Sequence, residues 1–451
     1  MATPAAVKTA YEAVIGLEVH VQLLTRSKMF CGCSADYAGA PPNSHVCPVC
    51  LGLPGVLPVV NRQAVEYTMM TALALNCELP EFSKFDRKNY PYPDLVKGYQ
   101  ISQYDLPLSR NGWLEVEVNG QVRRIGIRRV HLEEDTAKLV HRVDESGRAY
   151  TLVDVNRSGV PLIEIVTEPD LRSPVEAHVF LSKLRAILRA LRVSTGTMEE
   201  GALRCDANVS VRPVGSSEFG VKTEVKNMNS FRSVQRALEY EIRRQIAVLE
   251  DGGQVVQETR GWQEDQGVTV SQRTKEFAHD YRYFPEPDLP PLHVSHEWVE
   301  EVRSRLPELP DARRERFVVQ YGLSEYDARQ LTSSQEVADF FEQAVAVYPK
   351  PKTVANWIQT EVFRLLKEHD VGLERVPFRP EHLVEVLQMV DEGVLSAALG
   401  KEVLEASFTS GALPRRIVEE RGLAMISEEE TLRQAVREAI AGNPKAVADY
   451  R

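Results

Sequence analysis

The sequence lacks the short loops by which many nucleotide-binding and hydrolytic enzymes are recognised. No GxxxxGK, GxGxxG or GxSxG segment occurs in its 451 residues. This absence argues against a P-loop NTPase, a Rossmann dinucleotide domain and an α/β-hydrolase. An ATP site in this chain would therefore have to be built from carboxylates and polar strand faces.

Long apolar runs and an excess of positive charge are also missing. No stretch approaches the length that spans a bilayer, and the N-terminal MATPAAVKTA lacks the basic and apolar regions of a secretion signal. These absences predict a cytoplasmic protein that does not associate with membranes. The net charge of -11 argues against bulk attraction to a polyanion, so a nucleic acid would be bound through shape and local contacts.

Cysteine is scarce, yet four of the six cysteines form two close pairs. Cys31 and Cys33 are followed by Cys47 and Cys50, across a segment rich in Pro, Gly, Asn and Ser. In a chain without a secretion signal, this pattern predicts a structural Cys₄ zinc site that folds a loop with little core of its own. The tight Cys-x-Cys pair leaves reduced thiols without metal as the alternative.

The first strongly patterned segment is AVIGLEVHVQLL, where apolar and polar residues alternate. Alternation predicts a half-buried strand, with Glu18 and His20 on its polar face. A carboxylate and an imidazole two residues apart point the same way and suit a shared metal or ligand. A strand with a solvated polar face is the alternative.

The stretch from His131 to Asp170 holds the strongest concentration of carboxylates. Glu164 lies in the apolar run LIEIV, where an isolated ionised carboxylate would be costly, and Glu133, Glu134 and Asp135 follow one another near the start of the stretch. A divalent cation such as Mg²⁺ would neutralise these charges and bind phosphate oxygens. A buried ion pair with a solvated acidic turn is the alternative.

A second polar strand face and a helix start predict a binding surface. Ala202 to Arg212 alternates, which places Arg204, Asp206 and Asn208 together on one face. Lys226, Asn227 and Ser230 then precede a predicted helix, whose first backbone amides could hold a phosphate. An ordinary Asn or Ser helix cap is equally compatible with that segment.

The distribution of strand and helix patterns along the chain predicts an α+β protein. The proline-dense end of KEFAHDYRYFPEPDLPP marks a domain boundary near Leu292. Strand patterns precede this boundary, and helical patterns follow it. We therefore predict a mixed catalytic domain at 1–293 that includes the zinc loop 31–50, an all-α domain at 294–398 and a tail domain at 399–451.

Several long segments carry a resemblance to a known family. Besides the two cysteine pairs they are GLEVHVQL, PGVLPVVN, SKFDRKNYPYPDLVKGYQISQ, HLEEDTAK, NRSGVPLIEIVTEPD, EEGALRCDANVS, EVKNMNSF and DYRYFPEPDLPPL. The chain resembles, over essentially its whole length, the B subunits of the glutamine-dependent aminoacyl-tRNA amidotransferases. The resemblance implies a cradle-shaped α+β domain that binds ATP and Mg²⁺, followed by helical and tail domains that contact tRNA.

The same resemblance implies a reaction and a set of site residues. ATP would activate the side-chain carboxylate of Asp-tRNA(Asn) and/or Glu-tRNA(Gln) as an acyl phosphate, which ammonia then displaces. By motif, His20, Glu134 and Glu164 correspond to the Mg²⁺ ligands, and Glu18 and Asp206 lie close to them. Arg204, Asn208, Lys226, Asn227 and Ser230 remain the nucleotide-binding candidates, and Lys88, Tyr90 and Tyr92 correspond to part of an ammonia path.

The implied partners are an amidase-type A subunit, which supplies ammonia from glutamine, a small C subunit and a misacylated tRNA, with the aminoacyl-tRNA synthetase as a further candidate. Resembling chains usually continue into a Gly/Lys-rich helical segment, so an incomplete tail is expected. Two other classes are compatible with the residues alone: a stand-alone ligase with its own glutaminase nucleophile, and a non-catalytic tRNA-binding scaffold.

Overall fold

The computed structural model describes residues 10–274, 281–423, 436–438 and 440–442. It divides into two compact units between Leu309 and Pro310. The first unit is rich in strands and the second is helical, so the prediction of an α+β protein is confirmed. Within the described ranges, no helix is both long and apolar enough to cross a membrane.

Among the residues that the structure describes, the first unit contains a large sheet, three small sheets and flanking helices. Its strands are β1 Tyr11–Gln22, β2 Phe82–Ser83, β3 Asp86–Asn89, β4 Tyr99–Ser102, β5 Ser109–Val118, β6 Gln121–Glu134, β7 Lys138–Val143, β8 Ala149–Asp154, β9 Pro161–Thr167, β10 Leu203–Pro213, β11 Thr223–Lys226, β12 Glu258–Gln263, β13 Val268–Thr274, β14 Phe284–Pro285 and β15 Leu292–His293. Its helices are α1 Arg62–Ala74, α2 Pro174–Ala190, α3 Phe231–Glu250 and α4 His296–Ser304, and a 3₁₀ turn covers Val155–Arg157.

The large sheet has the strand order β13-β12-β11-β10-β1-β9-β6-β5, with β1 at its centre. The alternation predicted for β1 is confirmed, because Ile15, Leu17 and Val19 are almost fully buried. Their face forms one hydrophobic core with α2 and α3, to which Leu184 and Leu238 contribute. Side chains at the alternating positions therefore point to the opposite, polar face of the same sheet.

The first unit ends later than the predicted boundary at 293. Helix α4 packs against α1 and contributes the fully buried Val302 to the core of the first unit. Trp298 of α4 also donates a hydrogen bond from Nε1 to Glu66 of α1, at 3.2 Å. The proline cluster therefore precedes a last helix of this unit.

The second unit is built from α5 Pro310–Tyr321, α6 Glu325–Leu331, α7 Gln335–Val347, α8 Pro351–Trp357, a π-helical turn Ile358–Val362, α9 Phe363–Glu368, a 3₁₀ turn Leu373–Arg375, α10 Pro380–Asp391, α11 Ala397–Ser410 and α12 Pro414–Arg421. Leu387 of α10 and Val403 and Phe408 of α11 belong to one core. Residues on both sides of the predicted boundary at 398/399 thus fold together. Much of the predicted tail, 424–435, 439 and 443–451, lies outside the described residues.

Candidate functional site

A row of titratable side chains crosses the centre of the large sheet on its polar face. The strand register places Glu164 of β9 directly between His20 of β1 and His131 of β6. Directly opposed residues in an antiparallel sheet have Cβ atoms about 4.5–5.5 Å apart. Glu133, two positions after His131, returns to the same face, so two carboxylates and two imidazoles meet there.

The atoms of this group are close enough to share a ligand. His131 Nε2 lies 3.1 Å from Glu164 Oε2 and 3.3 Å from Glu133 Oε1. His20 Nε2 lies 3.9 Å from a carboxylate oxygen of each of the two glutamates. His20, Glu133 and Glu164 each offer a ligand atom, and these atoms lie within 4.8 Å of one another. We call these three residues the carboxylate cluster.

Cations and hydrogen-bond donors keep the buried carboxylates ionised. Burial would raise the pKa of Glu133, but Lys88 and His131 outweigh that effect and hold this pKa well below its ordinary value. For Glu164 burial is likewise outweighed, by His131, His20 and Lys88, and its pKa is also strongly lowered. Ser102 Oγ and Gln100 Nε2 donate to Glu133 at 2.6 and 3.1 Å.

Glu134, predicted as a metal ligand, does not belong to the carboxylate cluster. Successive side chains of a strand point to opposite faces, so Glu133 and Glu134 diverge. Glu134 forms an ion pair with Lys97 and accepts a hydrogen bond of 3.0 Å from the backbone N–H of Ile101. The position expected for Glu134 beside His20 and Glu164 is therefore occupied by Glu133.

The other predicted strand residues lie next to the cluster on the polar face. Asp206 is opposite Glu18, and Arg204 is opposite His20, across the β1–β10 pair. Asn208 donates to Glu18 at 2.9 Å, and Lys226 lies 2.6 Å from Asp206. Burial, together with Glu164, Glu224 and Asp206, raises the pKa of Glu18. These residues form a continuous polar surface beside the cluster.

A cavity of about 230 Å³ opens beside Glu18 along the same face. Asn208, Arg128, Lys222 and the ring of Phe219 line it. A cavity with one aromatic ring, two cations and short hydrogen-bonding groups has the composition of a small-molecule site. The space lies on the side of Glu18 away from His20 along β1.

Two candidates at the predicted phosphate site, Asn227 and Ser230, have local features that are explained by the start of helix α3 and the turn before it. Ser230 accepts a hydrogen bond of 3.0 Å from the backbone N–H of Ser233 and so caps the N-terminus of α3. Asn227 adopts a left-handed backbone conformation with φ of 64°, which asparagine tolerates better than most residues. Ser230 is thus used as an ordinary helix cap.

Lys88 connects the predicted ammonia-path residues with the carboxylate cluster, because it lies beside Tyr90 and acts electrostatically on Glu133 and Glu164. Its Nζ lies 5.8 Å from the ring centroid of Tyr90 and 5.0 Å from that of Tyr281. Burial would lower the pKa of Lys88, but the nearby Glu133 and Glu164 raise it above its usual value. Tyr90 is half-buried beside this lysine, whereas 58% of Tyr92 is exposed.

The four paired cysteines meet in a second group, as the spacing predicts. Ligand sulfurs of Cys31, Cys33, Cys47 and Cys50 lie within 4.8 Å of one another, and those of Cys47 and Cys50 are 3.9 Å apart. Tetrahedral zinc with Zn–S bonds of about 2.3 Å requires sulfurs about 3.8 Å apart. The donor set and its spacing therefore fit a closed zinc site.

The carboxylate cluster fits a different kind of cation. Hard divalent cations prefer carboxylate oxygens, and Mg²⁺ usually completes its shell with water and substrate phosphates. Two buried, ionised carboxylates and one imidazole, opening onto a polar surface, match that preference. Glu133 could have been identified from its position two residues after His131 in the same strand. Residues two apart in a strand lie on one face, and His131 is paired with Glu164 of the neighbouring strand β9.

The isolated cysteines are unsuited to act as nucleophiles. Both Cys77 and Cys205 are buried, and burial raises the pKa of Cys77 to about 12 and that of Cys205 well above its usual value. Reactive cysteines instead lie in exposed, electropositive settings that favour the thiolate. Neither thiol provides the glutaminase nucleophile that a stand-alone ligase would need.

Comparisons with known proteins cover nearly the whole chain. A family model described as the GatB/GatE catalytic domain matches residues 13–300, and one described as a GatB domain matches 339–451. Three relatives are named as the B subunit of aspartyl/glutamyl-tRNA(Asn/Gln) amidotransferase. Their identity to this chain is 61% for the protein of Thermomicrobium roseum, 60% for that of Moorella thermoacetica and 58% for that of Carboxydothermus hydrogenoformans. Each alignment spans 98% of this chain and 91–92% of the relative.

Proposed function

The chain belongs to the GatB/GatE family, and on that premise we propose that it is the B subunit of an ATP- and glutamine-dependent amidotransferase. It would convert Asp-tRNA(Asn) and/or Glu-tRNA(Gln) into Asn-tRNA(Asn) and Gln-tRNA(Gln). The γ-phosphoryl group of ATP would pass to an oxygen of the side-chain carboxylate and form an acyl phosphate, as its bond to the β–γ bridging oxygen breaks and ADP leaves. Ammonia then forms the C–N bond, and the C–O bond to phosphate breaks.

The observation that carries this proposal is the carboxylate cluster on the central strands. Phosphoryl transfer to a carboxylate brings two anions together, and a bound Mg²⁺ would supply the compensating positive charge. Glu133 and Glu164 would hold that ion with His20. His131, Ser102 and Gln100 fix the orientation of the two carboxylates, and the cavity beside Glu18 offers space for the nucleotide.

We propose a structural role for zinc at the four cysteines. The loop 31–50 has Cys50 as its one buried residue, so it has little hydrophobic core to hold its shape. Zinc-bound thiolates would supply that stability. Reduced thiols of this kind are typical of cytosolic proteins, in agreement with the predicted cytoplasmic location.

The proposed partners follow from the chemistry. This chain offers no suitable cysteine nucleophile among its described residues, so ammonia would come from glutamine hydrolysis on an amidase-type A subunit. It would reach the cluster along the path predicted at Lys88, Tyr90 and Tyr92. A small C subunit and the misacylated tRNA complete the proposed complex, with the synthetase as an additional candidate partner.

A non-catalytic scaffold is the less favoured alternative. A scaffold gives no reason for two ionised carboxylates to be buried beside two histidines, since burying charge is costly. The match of residues 13–300 to a catalytic-domain family also favours an enzyme.

Reconstitution tests the proposed function directly. The purified chain is combined with A and C subunits, and phosphate release from ATP is measured with Asp-tRNA(Asn) and Glu-tRNA(Gln) separately. We expect phosphate release and amide formation to depend on at least one of the two tRNAs. ATP cleavage that responds to neither misacylated tRNA would contradict the proposal.

A further inference from the structure

Asp135, a buried carboxylate outside the carboxylate cluster, binds Arg204 on the polar face of the large sheet. Asp135 is only 2% exposed. Its Oδ2 accepts from Gln22 Nε2 at 2.7 Å and from Arg204 at 2.9 Å. Its Oδ1 accepts from the backbone N–H of Thr136 at 2.9 Å and lies 3.6 Å from Arg157 Nε. Three hydrogen bonds and one ion pair therefore hold the Asp135 carboxylate.

Asp135 is itself fixed from two sides. Arg157, in the 3₁₀ turn, also donates to the backbone carbonyls of Thr136 and Ala137, both at 2.9 Å. Gln22, on β1, also bonds to the Tyr37 hydroxyl at 3.0 Å. The carboxylate thus cannot turn away from Arg204 without breaking several other hydrogen bonds.

Arg204 lies where a substrate anion would be held. It is opposite His20 in the β1–β10 register, next to the carboxylate cluster. One guanidinium nitrogen binds Asp135, whereas the buried Nε has no hydrogen-bond partner among the described residues. The side chain still exposes 38% of its surface. Asp135 therefore does not saturate the guanidinium, and part of the Arg204 side chain is accessible on the polar face.

We propose that Asp135 is a positioning residue that holds Arg204 beside His20, where the free guanidinium donors bind an oxyanion of the reacting substrates. This inference rests on the proposed function, which brings phosphate and carboxylate oxygens to this face. An arginine fork binds such oxygens with directed, charge-assisted hydrogen bonds. Fixing the fork in advance removes the cost of ordering it when charge develops.

The chain contains a matched buried carboxylate on helix α3, which packs against the opposite, apolar face of the large sheet. Glu241 on α3 is fully buried and binds Arg244 at 2.6 Å, Gln245 at 3.0 Å and Thr269 at 2.9 Å, with Arg260 at 3.5 Å. Like Asp135 it combines two arginines, one glutamine and one threonine. Glu241→Gln therefore reports what the loss of such a carboxylate costs the fold alone.

The test compares Asp135→Asn with Glu241→Gln in the complex with the A and C subunits. Both variants should lower the melting temperature. Per folded complex, Asp135→Asn should lower kcat/KM for tRNA-dependent phosphate release at least about tenfold, and Glu241→Gln should change it less than about twofold. Equal activity losses in the two variants would overturn the proposal.

Chemical rescue separates positioning from folding. In Arg204→Ala, millimolar guanidinium chloride should restore part of the lost phosphate release, because Asp135 still holds the added ion. The double variant Arg204→Ala, Asp135→Asn should show no rescue. Guanidinium that restores nothing to Arg204→Ala, or restores both variants equally, would contradict the assigned role of Asp135.

Two further measurements identify which oxyanion Arg204 binds, a phosphate of ATP or the side-chain carboxylate of the aminoacyl-tRNA. Equilibrium affinity for ATP with MgCl₂, measured by calorimetry, falls in Asp135→Asn if Arg204 binds phosphate oxygens. An unchanged ATP affinity with a raised KM for misacylated tRNA identifies the side-chain carboxylate. If both quantities keep their wild-type values, the inference fails. A wild-type complex that cleaves no ATP with either tRNA instead contradicts the proposed function, and the calorimetric arm still tests Arg204.

Discussion

The two candidate metal centres of this protein differ in what holds their ligands in place. The four cysteines lie on a loop, 31–50, in which Cys50 is the one buried residue. The carboxylate cluster lies on three neighbouring central strands, whose opposite faces are packed into the main core. We therefore expect the loop to depend on a bound metal for much of its shape, whereas the strands present their ligands on a backbone that the core already fixes.

This difference predicts that the two centres fail in different ways. Removing a ligand from the loop should release structure, because the thiols substitute for a core. Removing a ligand from the strands should abolish chemistry while the sheet remains folded. Variants at both centres test this separation, starting with the largest expected effect.

The largest effect is expected for Glu164→Gln in the complex with the A and C subunits. The substitution keeps the volume and removes one of two ionised carboxylates, so tRNA-dependent phosphate release should fall by about 100-fold or more. The new amide can still accept a hydrogen bond from His131, which contacts Glu164 at 3.1 Å, so the complex should stay folded, and its melting temperature should fall only by the contribution of the lost charge. Glutamine hydrolysis by the A subunit serves as the internal control.

Either of two results for Glu164→Gln would contradict this separation. Near-normal phosphate release would remove Glu164 from the chemistry. A collapse of the melting temperature, with activity lost only through unfolding, would make Glu164 a structural ion-pair residue.

The next effect is structural and concerns the thiols. Freshly purified protein should contain one zinc per chain, and Cys31→Ser should lose it, since the four sulfurs lie within 4.8 Å of one another and would share one ion. Hydrogen exchange should then accelerate in residues 31–50 and in the 3₁₀ turn, to which Asn43 and His45 of the loop are hydrogen-bonded. Protein that was never exposed to chelator and contains no zinc would refute this prediction.

An intermediate effect is expected from shortening the second unit. Deleting residues after Leu423 leaves the described core intact and should weaken tRNA binding about tenfold, without affecting subunit assembly. Deleting residues after Leu399 also removes the buried Val403, Leu404 and Phe408. The loss of one such large side chain alone typically costs about 3 kcal/mol, so this longer deletion should unfold the unit.

Filter binding of tRNA at several salt concentrations, with melting curves of both deletion variants, separates the two outcomes. Equal tRNA affinity of the full chain and the chain ending at Leu423 would give the tail another role.

The smallest effect concerns the ammonia path. Tyr90 lies against Lys88 and is half-buried, whereas Tyr92 is 58% exposed. Tyr90→Phe should lower the ratio of amide formed to glutamine hydrolysed a few-fold, and Tyr92→Phe should leave it unchanged. The ratio is measured in the complete complex with saturating ATP and tRNA. A larger effect at Tyr92 would move the path to the exposed side of this segment.

Alternation in sequence was sufficient to predict β1 and the strand from Ala202 to Arg212, including which side chains share a face. The pairing of His20 with Arg204 and with Glu164 is a consequence of register, which a single strand pattern does not contain. The motif resemblance brought His20 and Glu164 to one site. It assigned the third ligand position to Glu134, whereas the strand geometry places Glu133 on the face of His20 and Glu164.

The reason for that choice is physical. Two adjacent glutamates offer no contrast in polarity, so they differ only in their position along the strand, where Glu133 and not Glu134 shares a face with His131. The division of the compact units between Leu309 and Pro310, and not near 293, has a different origin. Prolines mark the end of regular structure, but the packing of α4 onto α1 depends on contacts between distant segments.

The central claim is that Glu133, and not its neighbour Glu134, holds the divalent cation with His20 and Glu164. Titration of Mn²⁺, as a paramagnetic substitute for Mg²⁺, into the complexes carrying Glu133→Gln or Glu134→Gln tests it directly. We predict that Glu133→Gln weakens Mn²⁺ binding at least about tenfold, whereas Glu134→Gln binds Mn²⁺ like the wild type because its partner is Lys97. Loss of binding in Glu134→Gln with retention in Glu133→Gln would contradict the account.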